Sequence, residues 1–156
     1  MDRNQIIKNM KVLPIIDTEF EINRRVEFIQ QQLKSASMTT LILGISGGID
    51  STTCGRLAML AVEGLNQQEN TFSYQFIAVR LPYNIQADEE DAQLSLQFIQ
   101  PTKTHTINIS KATDAMHNEV LTALKKEAAK VDFATVDFAK GNVKARTRMI
   151  AQYEIA

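Results

Sequence analysis

One cysteine, three prolines, no tryptophan and no long apolar run mark this chain by scarcity. The lone Cys54 excludes an internal disulfide and, with no second cysteine, a thiolate zinc site. A reducing cytoplasm is then the simplest compartment. A membrane-spanning helix needs roughly 20 consecutive apolar residues, and no such run is present. The start of the chain, Asp2 and Arg3 before a mixed segment, lacks the apolar stretch of a signal peptide. Charge of one sign is missing too. Seventeen Lys and Arg face 18 Asp and Glu, a net charge of -1, so no overall field draws the chain to nucleic acid or an anionic membrane. What is present is ordinary: 156 residues, 44% hydrophobic and 22% charged, suffice for one domain with a core. Without repeats, low-complexity stretches or a visible boundary, residues 1–156 read as a single domain.

Periodicity supplies the elements. Asn4 to Val12 is weakly amphipathic and stops before Pro14. Thr18 with Glu21 predicts a capping box, followed by a helix over Glu19 to Lys34 with Ile22, Val26, Ile29 and Leu33 on one face. Thr40 to Ile45 predicts a buried strand. A helix follows from Ser51 to about Leu65, with Leu57, Ala61 and Leu65 sharing a face, then a polar turn over Asn66 to Asn70. Gln75 to Leu81 predicts a second strand, ended by Pro82. Asp88 to Phe98 predicts a helix with Leu94, Phe98 and Ile99 for packing. Thr104 to Ile109 predicts a third strand, and Ala112 to Ala129 a helix with Met116, Val120, Leu121 and Leu124 along one side. Val131 to Lys140 reads as irregular and Asn142 to Ile155 as a last helix. Alternating strands and helices imply an α/β fold: a parallel sheet with flanking helices and right-handed crossovers. In such sheets a ligand sits beyond the carboxyl ends of the strands. Three strands are few for this class, and the last helix carries Ile150, Tyr153 and Ile155 with no glycine cap after it. The expectation is an N-terminal portion of a longer protein.

The most informative stretch is Ser46-Gly47-Gly48-Ile49-Asp50-Ser51. An apolar strand runs into it and a helix runs out, an architecture that aims backbone N–H groups and a helix N-terminus at an anion. The paired glycines can reach positive φ and have no side chain to block a ligand. Ser46 and Ser51 add hydroxyl donors. Asp50 would repel a bare phosphate, so its expected role is to hold the cation that accompanies one. Magnesium, which takes one or two carboxylates plus phosphate oxygens, suits a single aspartate. No Gly-Lys-Ser/Thr follows, and the dinucleotide spacing G-x-G-x-x-G is absent. The pattern S-G-G-x-D-S resembles instead the pyrophosphate-binding loop of the N-type ATP pyrophosphatases, which cleave ATP between its α and β phosphates.

Four segments in order resemble one family within that group, the ammonia-dependent NAD synthetases. They are Leu43 to Ser51 (LGISGGIDS), Phe76 to Tyr83 (FIAVRLPY), Gln86 to Gln93 (QADEEDAQ) and Gly141 to Tyr153 (GNVKARTRMIAQY). The resemblance spans essentially the whole chain. It implies a Rossmann-like, adenine-nucleotide alpha-hydrolase-like sheet. It implies a carbon–nitrogen ligase in which the carboxylate of deamido-NAD attacks the α-phosphate of ATP, pyrophosphate leaves, and ammonia converts the acyl-adenylate to NAD and AMP. By similarity, Ser46, Gly47, Gly48, Ile49, Asp50, Ser51 and Thr52 bind ATP in the phosphate loop, and Asp50 is a magnesium ligand. Arg80 and Gln86 match contacts to the adenosine side of ATP. Arg146 matches a contact to deamido-NAD, on which Phe138 packs. No protein nucleophile is required. The resemblance implies a homodimer with the second substrate at its interface. The family's second acidic magnesium ligand, a lysine and a mobile loop lie beyond Ala156, so part of the site is expected outside this chain.

Plainer readings stand beside these. Arg80 alone would be a surface arginine at a strand end. Asp88, Glu89, Glu90 and Asp91 suit a helix N-terminus better than a metal. Lys144 and Arg148 share a helix face and Arg146 points away, so the three basic residues do not share one role. His105 and His117 read as surface or core filler, Cys54 as a small packing residue, and Met38, Met59, Met116 and Met149 as gap-fillers. Two other functions keep the loop. One is another pyrophosphate-loop ligase, for GMP or asparagine synthesis or for tRNA modification; the near-neutral charge and lone cysteine count against the tRNA enzymes. The other is a module that binds ATP or AMP without turnover.

Overall fold

Phe76, Ala78 and their neighbours explain why the sheet is covered on both sides. Along Gln75–Arg80 (β2) every residue after Gln75 is buried, and successive side chains leave by opposite faces. The computed structural model describes residues 2–11, 13, 15–84, 89–124 and 132–156. Among them β2 pairs in parallel with Thr40–Gly44 (β1) on one side and Lys103–Thr106 (β3) on the other, Leu43 facing Ala78 and Val79 facing His105. Such a doubly buried strand reads as a continuous apolar run, as QFIAVR does.

One face of the sheet is closed by Ile49–Glu69 (α3) and Glu89–Ile99 (α4). Phe76, Ala78 and Ile45 there meet Ala58, Val62 and Ile99. On the other face Ile77, Val79, Leu81 and Ile109 form a second core, and Ala151 and Ile155 of Phe133–Ile155 (α6) pack on it. Thr18–Ser35 (α2) lies outside α3, with Leu33 buried and Gln30 donating to the Ala61 carbonyl at 3.1 Å. Ser110–Leu124 (α5) packs beside α6 and buries Thr113 and His117. Arg3–Asn9 (α1) buries nothing. No helix among the described residues is long and apolar enough to cross a membrane.

The predicted elements are all present, with shifted ends. The cap of α2 is Asp17, whose carboxylate accepts the Phe20 N–H at 3.1 Å; Glu21 pairs with Arg24 and Arg25 instead of closing a box with Thr18. Helix α3 begins at Ile49 and continues through the expected polar turn, because Asn66 to Glu69 form its last turn, closed by Asn70 at φ +48°. The third strand stops at Thr106, though Ile107 and Ile109 still donate to the Arg80 and Pro82 carbonyls. The segment expected to be irregular is helical from Phe133, since Asp132 caps Thr135 and Gly141 continues the helix. Asp88, Val131 and the 125–129 end of the predicted fifth helix lie outside the described residues. The apolar side predicted for α5 is turned largely outward: Met116, Val120 and Leu124 are exposed and only Leu121 is half-buried. Leu94 and Phe98 are likewise exposed, whereas Ile99 is buried. Cys54 is exposed rather than packed. Of the four methionines read as gap-fillers only Met59 lies against a core; Met38, Met116 and Met149 face outward. His105 is exposed and His117 buried.

Candidate functional site

The loop between β1 and α3 is held in shape by its own hydroxyls. Ile45 continues the sheet, its N–H donating to the Val79 carbonyl at 2.9 Å, so the turn starts from a fixed point. Gly47 then sits at φ +96°, and a Cβ there would come within 2.9 Å of the Ala92 backbone nitrogen. Both the conformation and the space demand glycine. Gly48 is the N-cap of α3. Its N–H donates to Ser46 Oγ at 3.3 Å, and Ser51 Oγ donates to its carbonyl at 3.0 Å. The Ser46 and Ser51 hydroxyls lie 3.1 Å apart. The first-turn amides of α3 have no carbonyl one turn back, and they point with the helix dipole out of the N-terminus. Asp50 stands exposed in that first turn, beside the exposed Ile49.

Thr52 ties this loop to α4. Its hydroxyl lies 2.8 Å from the Gly48 carbonyl and 2.7 Å from Ser95 Oγ, and Ser95 donates to the Asp91 carbonyl at 2.9 Å. Ser95 was not singled out from sequence; a serine mid-helix carries no signal until the fold brings it to Thr52. A groove of about 330 Å³ opens here, lined by Gly47, Ile49, Thr52, Thr53, Asp91 and Ser95 with Leu94 and Phe98.

Arg80 closes β2. It is 1% exposed, which overturns the plain surface reading, and its guanidinium donates to Glu89 Oε2 at 2.7 Å. A buried cation is tolerated only with such a partner. Glu89 therefore does more than complement the α4 dipole. Gln86 lies outside the described residues. A cluster of three or more His, Cys, Asp or Glu placed to hold a metal is absent among the described residues. A magnesium ion at the loop would rest on Asp50 and on phosphate oxygens, a donor set suited to that ion.

Helix α6 splits its polar residues as the spacing predicted. Lys144 and Arg148 face the fold, and Arg146 faces outward, donating to Asn142 Oδ1 at 3.0 Å. Phe138 lies 74% exposed. The inward face meets the strand ends at a cavity of about 440 Å³, lined by Gly44, Ile45, Ser46, Leu81, Arg148 and Gln152 among others. Nearby, Tyr83 donates to Asp114 Oδ1 at 2.6 Å, and Lys140 Nζ lies 2.7 Å from the same oxygen. The Lys140 ammonium, then the Tyr83 hydroxyl, hold the Asp114 carboxyl below its usual range, and Asp114 in turn raises Lys140. The structure thus gathers Ser46 to Thr52 at one strand end and Arg80 at the next. It leaves Arg146 and Phe138 on the outer side of α6.

A family profile described as NAD synthase matches residues 21–156. The NH(3)-dependent NAD(+) synthetase of Vibrio cholerae serotype O1 is 58% identical over 154 residues, covering 98% of this chain and 56% of the relative. That of Pseudoalteromonas translucida is 54% identical over 155 residues, covering 99% and 56%. Among solved structures, NAD+ synthetase from Burkholderia pseudomallei superposes with a TM-score of 0.84 at 43% identity, over 97% of this chain and 63% of that one. The chain spans just over half the length of the curated relatives it matches.

Proposed function

The chain belongs to the NAD synthase family, and from that premise we propose that it carries the ATP-binding part of a ligase that amidates deamido-NAD with ammonia. Deamido-NAD, ATP and ammonia give NAD, AMP and pyrophosphate. The carboxylate oxygen bonds to the α-phosphorus, the bond to the β-phosphate oxygen breaks, and ammonia then displaces AMP from the acyl carbon.

The observation that carries this reading is the loop geometry: Gly47 in the left-handed region, Gly48 capping α3, and two serine hydroxyls 3.1 Å apart at the end of β1. Donors fixed before the ligand arrives stabilise charge developing on a departing pyrophosphate. Ser46, Gly47, Gly48, Ile49, Ser51 and Thr52 are the proposed cradle. Asp50 would hold magnesium, which when bound supplies charge neutralisation at the phosphates. Arg80, buried at the strand end, and Gln86 are the proposed adenosine-side contacts. Arg146 and Phe138 are the proposed contacts to deamido-NAD.

A homodimer is part of the proposal. Its support is the outward face of α6, where Met149, Ile150 and Tyr153 are exposed beside Arg146. The proposed compartment is the cytoplasm, in keeping with the free thiol of Cys54. Neither nucleic acid nor membrane takes part.

The test incubates the chain, and the same sequence carried in a protein of its relatives' full length, with ATP, magnesium, deamido-NAD and ammonium. NAD and pyrophosphate are followed together. NAD formed only when all four are present supports the ligase. Nucleotide binding without pyrophosphate release from the full-length protein would point to a binding module, and pyrophosphate without NAD to a different acceptor.

A further inference from the structure

Four side chains on one face of α6 each grip a different part of the molecule. Lys140 Nζ lies 2.7 Å from Asp114 Oδ1 on α5. Lys144 Nζ sits 4.4 Å from the centroid of the Tyr83 ring, whose hydroxyl donates to that same carboxylate oxygen. Arg148 Nε donates to the Leu81 carbonyl, just past β2, at 3.1 Å. Gln152 Oε1 accepts the N–H of Gly44, the last residue of β1, at 2.8 Å, and its Nε2 donates to the Arg148 carbonyl at 3.2 Å. At four-residue spacing these groups form one slowly winding stripe, about 18 Å long at 1.5 Å per residue.

The stripe replaces the packing that usually seats a helix on a sheet. No residue of α6 is fully buried, and Ala151 and Ile155 supply partly buried apolar contact near its end. Apolar contact is non-directional and allows a helix to slide or roll. Hydrogen bonds and ion pairs to fixed partners are directional, and an ion pair, a cation–π contact and two hydrogen bonds in a row admit one axial position and one rotation. Beside this stripe, on the outer side, stand Phe138 and Arg146. Two residues beyond Gly44 is Ser46.

We infer that Lys140, Lys144, Arg148 and Gln152 are positioning residues that lock α6 to the carboxyl ends of β1 and β2, so that Phe138 and Arg146 keep a fixed place relative to the Ser46–Thr52 loop. They act through the helix and touch no reacting atom. The kinetic part of this inference rests on the amidation reading; the structural part does not.

The test uses Gln152→Met, which keeps length and loses the acceptor, alone and with Lys140→Met, and Gln152→Glu, which restores an acceptor for Gly44. Hydrogen exchange is followed by mass spectrometry on this chain. Amides of 145–155 exchange about tenfold faster in the Met variants while α3 is unchanged, and Gln152→Glu returns the protection. If the double variant does not fold, the Gln152→Met and Gln152→Glu pair decides. In the full-length protein, the KM for deamido-NAD rises about fivefold in Gln152→Met while that for ATP stays within about twofold. Unchanged exchange in α6, or both KM values moving together, overturns the inference. A wild-type protein that makes no NAD sinks the amidation reading alone, and the exchange result then stands as the judgement on the lock.

Discussion

Gly47 carries two demands at once, a φ of +96° and a Cβ position already claimed by the Ala92 backbone. Replacing it with alanine is expected to cost about 1–3 kcal/mol, measured by urea denaturation, and to weaken nucleotide binding by moving the turn away from α4. Asp50→Asn tests a different property. It removes charge without disturbing a hydrogen bond of the turn, so magnesium-dependent ATP affinity falls while the denaturation midpoint holds; an equal loss without magnesium would contradict the metal role. Asp114 predicts a pH effect. Lys140 and Tyr83, with a smaller contribution from His117, hold its folded carboxyl below the ordinary aspartate value of 3.8. Its stabilisation is therefore complete above that value and lost as pH falls through the lower folded one. Wild type and Asp114→Asn should differ in stability by a constant amount above about pH 5 and converge in more acid solution. At this scale the glycines, serines and Asp50 were legible because they are contiguous and their chemistry is local. Ser95 and Gln152 were not, since their partners lie 43 and 108 residues away in sequence.

Among the elements, the starts of α2 and α6 each depend on a single capping carboxylate. Asp17 accepts the Phe20 N–H, and Asp132 accepts the Thr135 N–H at 2.9 Å. Asp17→Ala is expected to lower stability by about 1 kcal/mol, seen as a reduced thermal midpoint; Thr18→Ala, at the position first read as the cap, should do much less. The existence and order of strands and helices followed from periodicity and from Pro82. Their ends did not. A polar last turn on α3 resembles a loop in sequence, and Gly141 resembles a break, because propensity is a weak prior that an otherwise continuous helix overrides. The outward-facing side of α5 has the same origin: an apolar stripe marks a face without saying whether anything covers it.

For the whole molecule, β2 is the keystone. Phe76 is fully buried between β2 and the helices α3 and α4, and Phe76→Ala should cost about 3–5 kcal/mol, which a domain of ordinary stability scarcely survives. A soluble chain with a native melting transition after that change would show the core lies elsewhere. The parallel α/β class was legible from alternation alone. That helices cover both faces follows from the uninterrupted burial of β2. Ile150→Asp, on the exposed side of α6, should convert the proposed dimer to a monomer in sedimentation at unchanged helix content; a species unaltered in size would contradict a dimer contact through α6.

The bond between Gly44 and Gln152 also bears on how the chain acquires its shape. Strands β1, β2 and β3 are neighbours in the order in which they are made, so the sheet with its glycine turn can assemble progressively as the polypeptide leaves the ribosome. The last tie instead closes a span of 108 residues, and such non-local closure is slow because its entropy is lost before any contact compensates. A nascent chain stalled before α6 would thus hold a nearly finished turn with one flank still open, and α6 would close that flank.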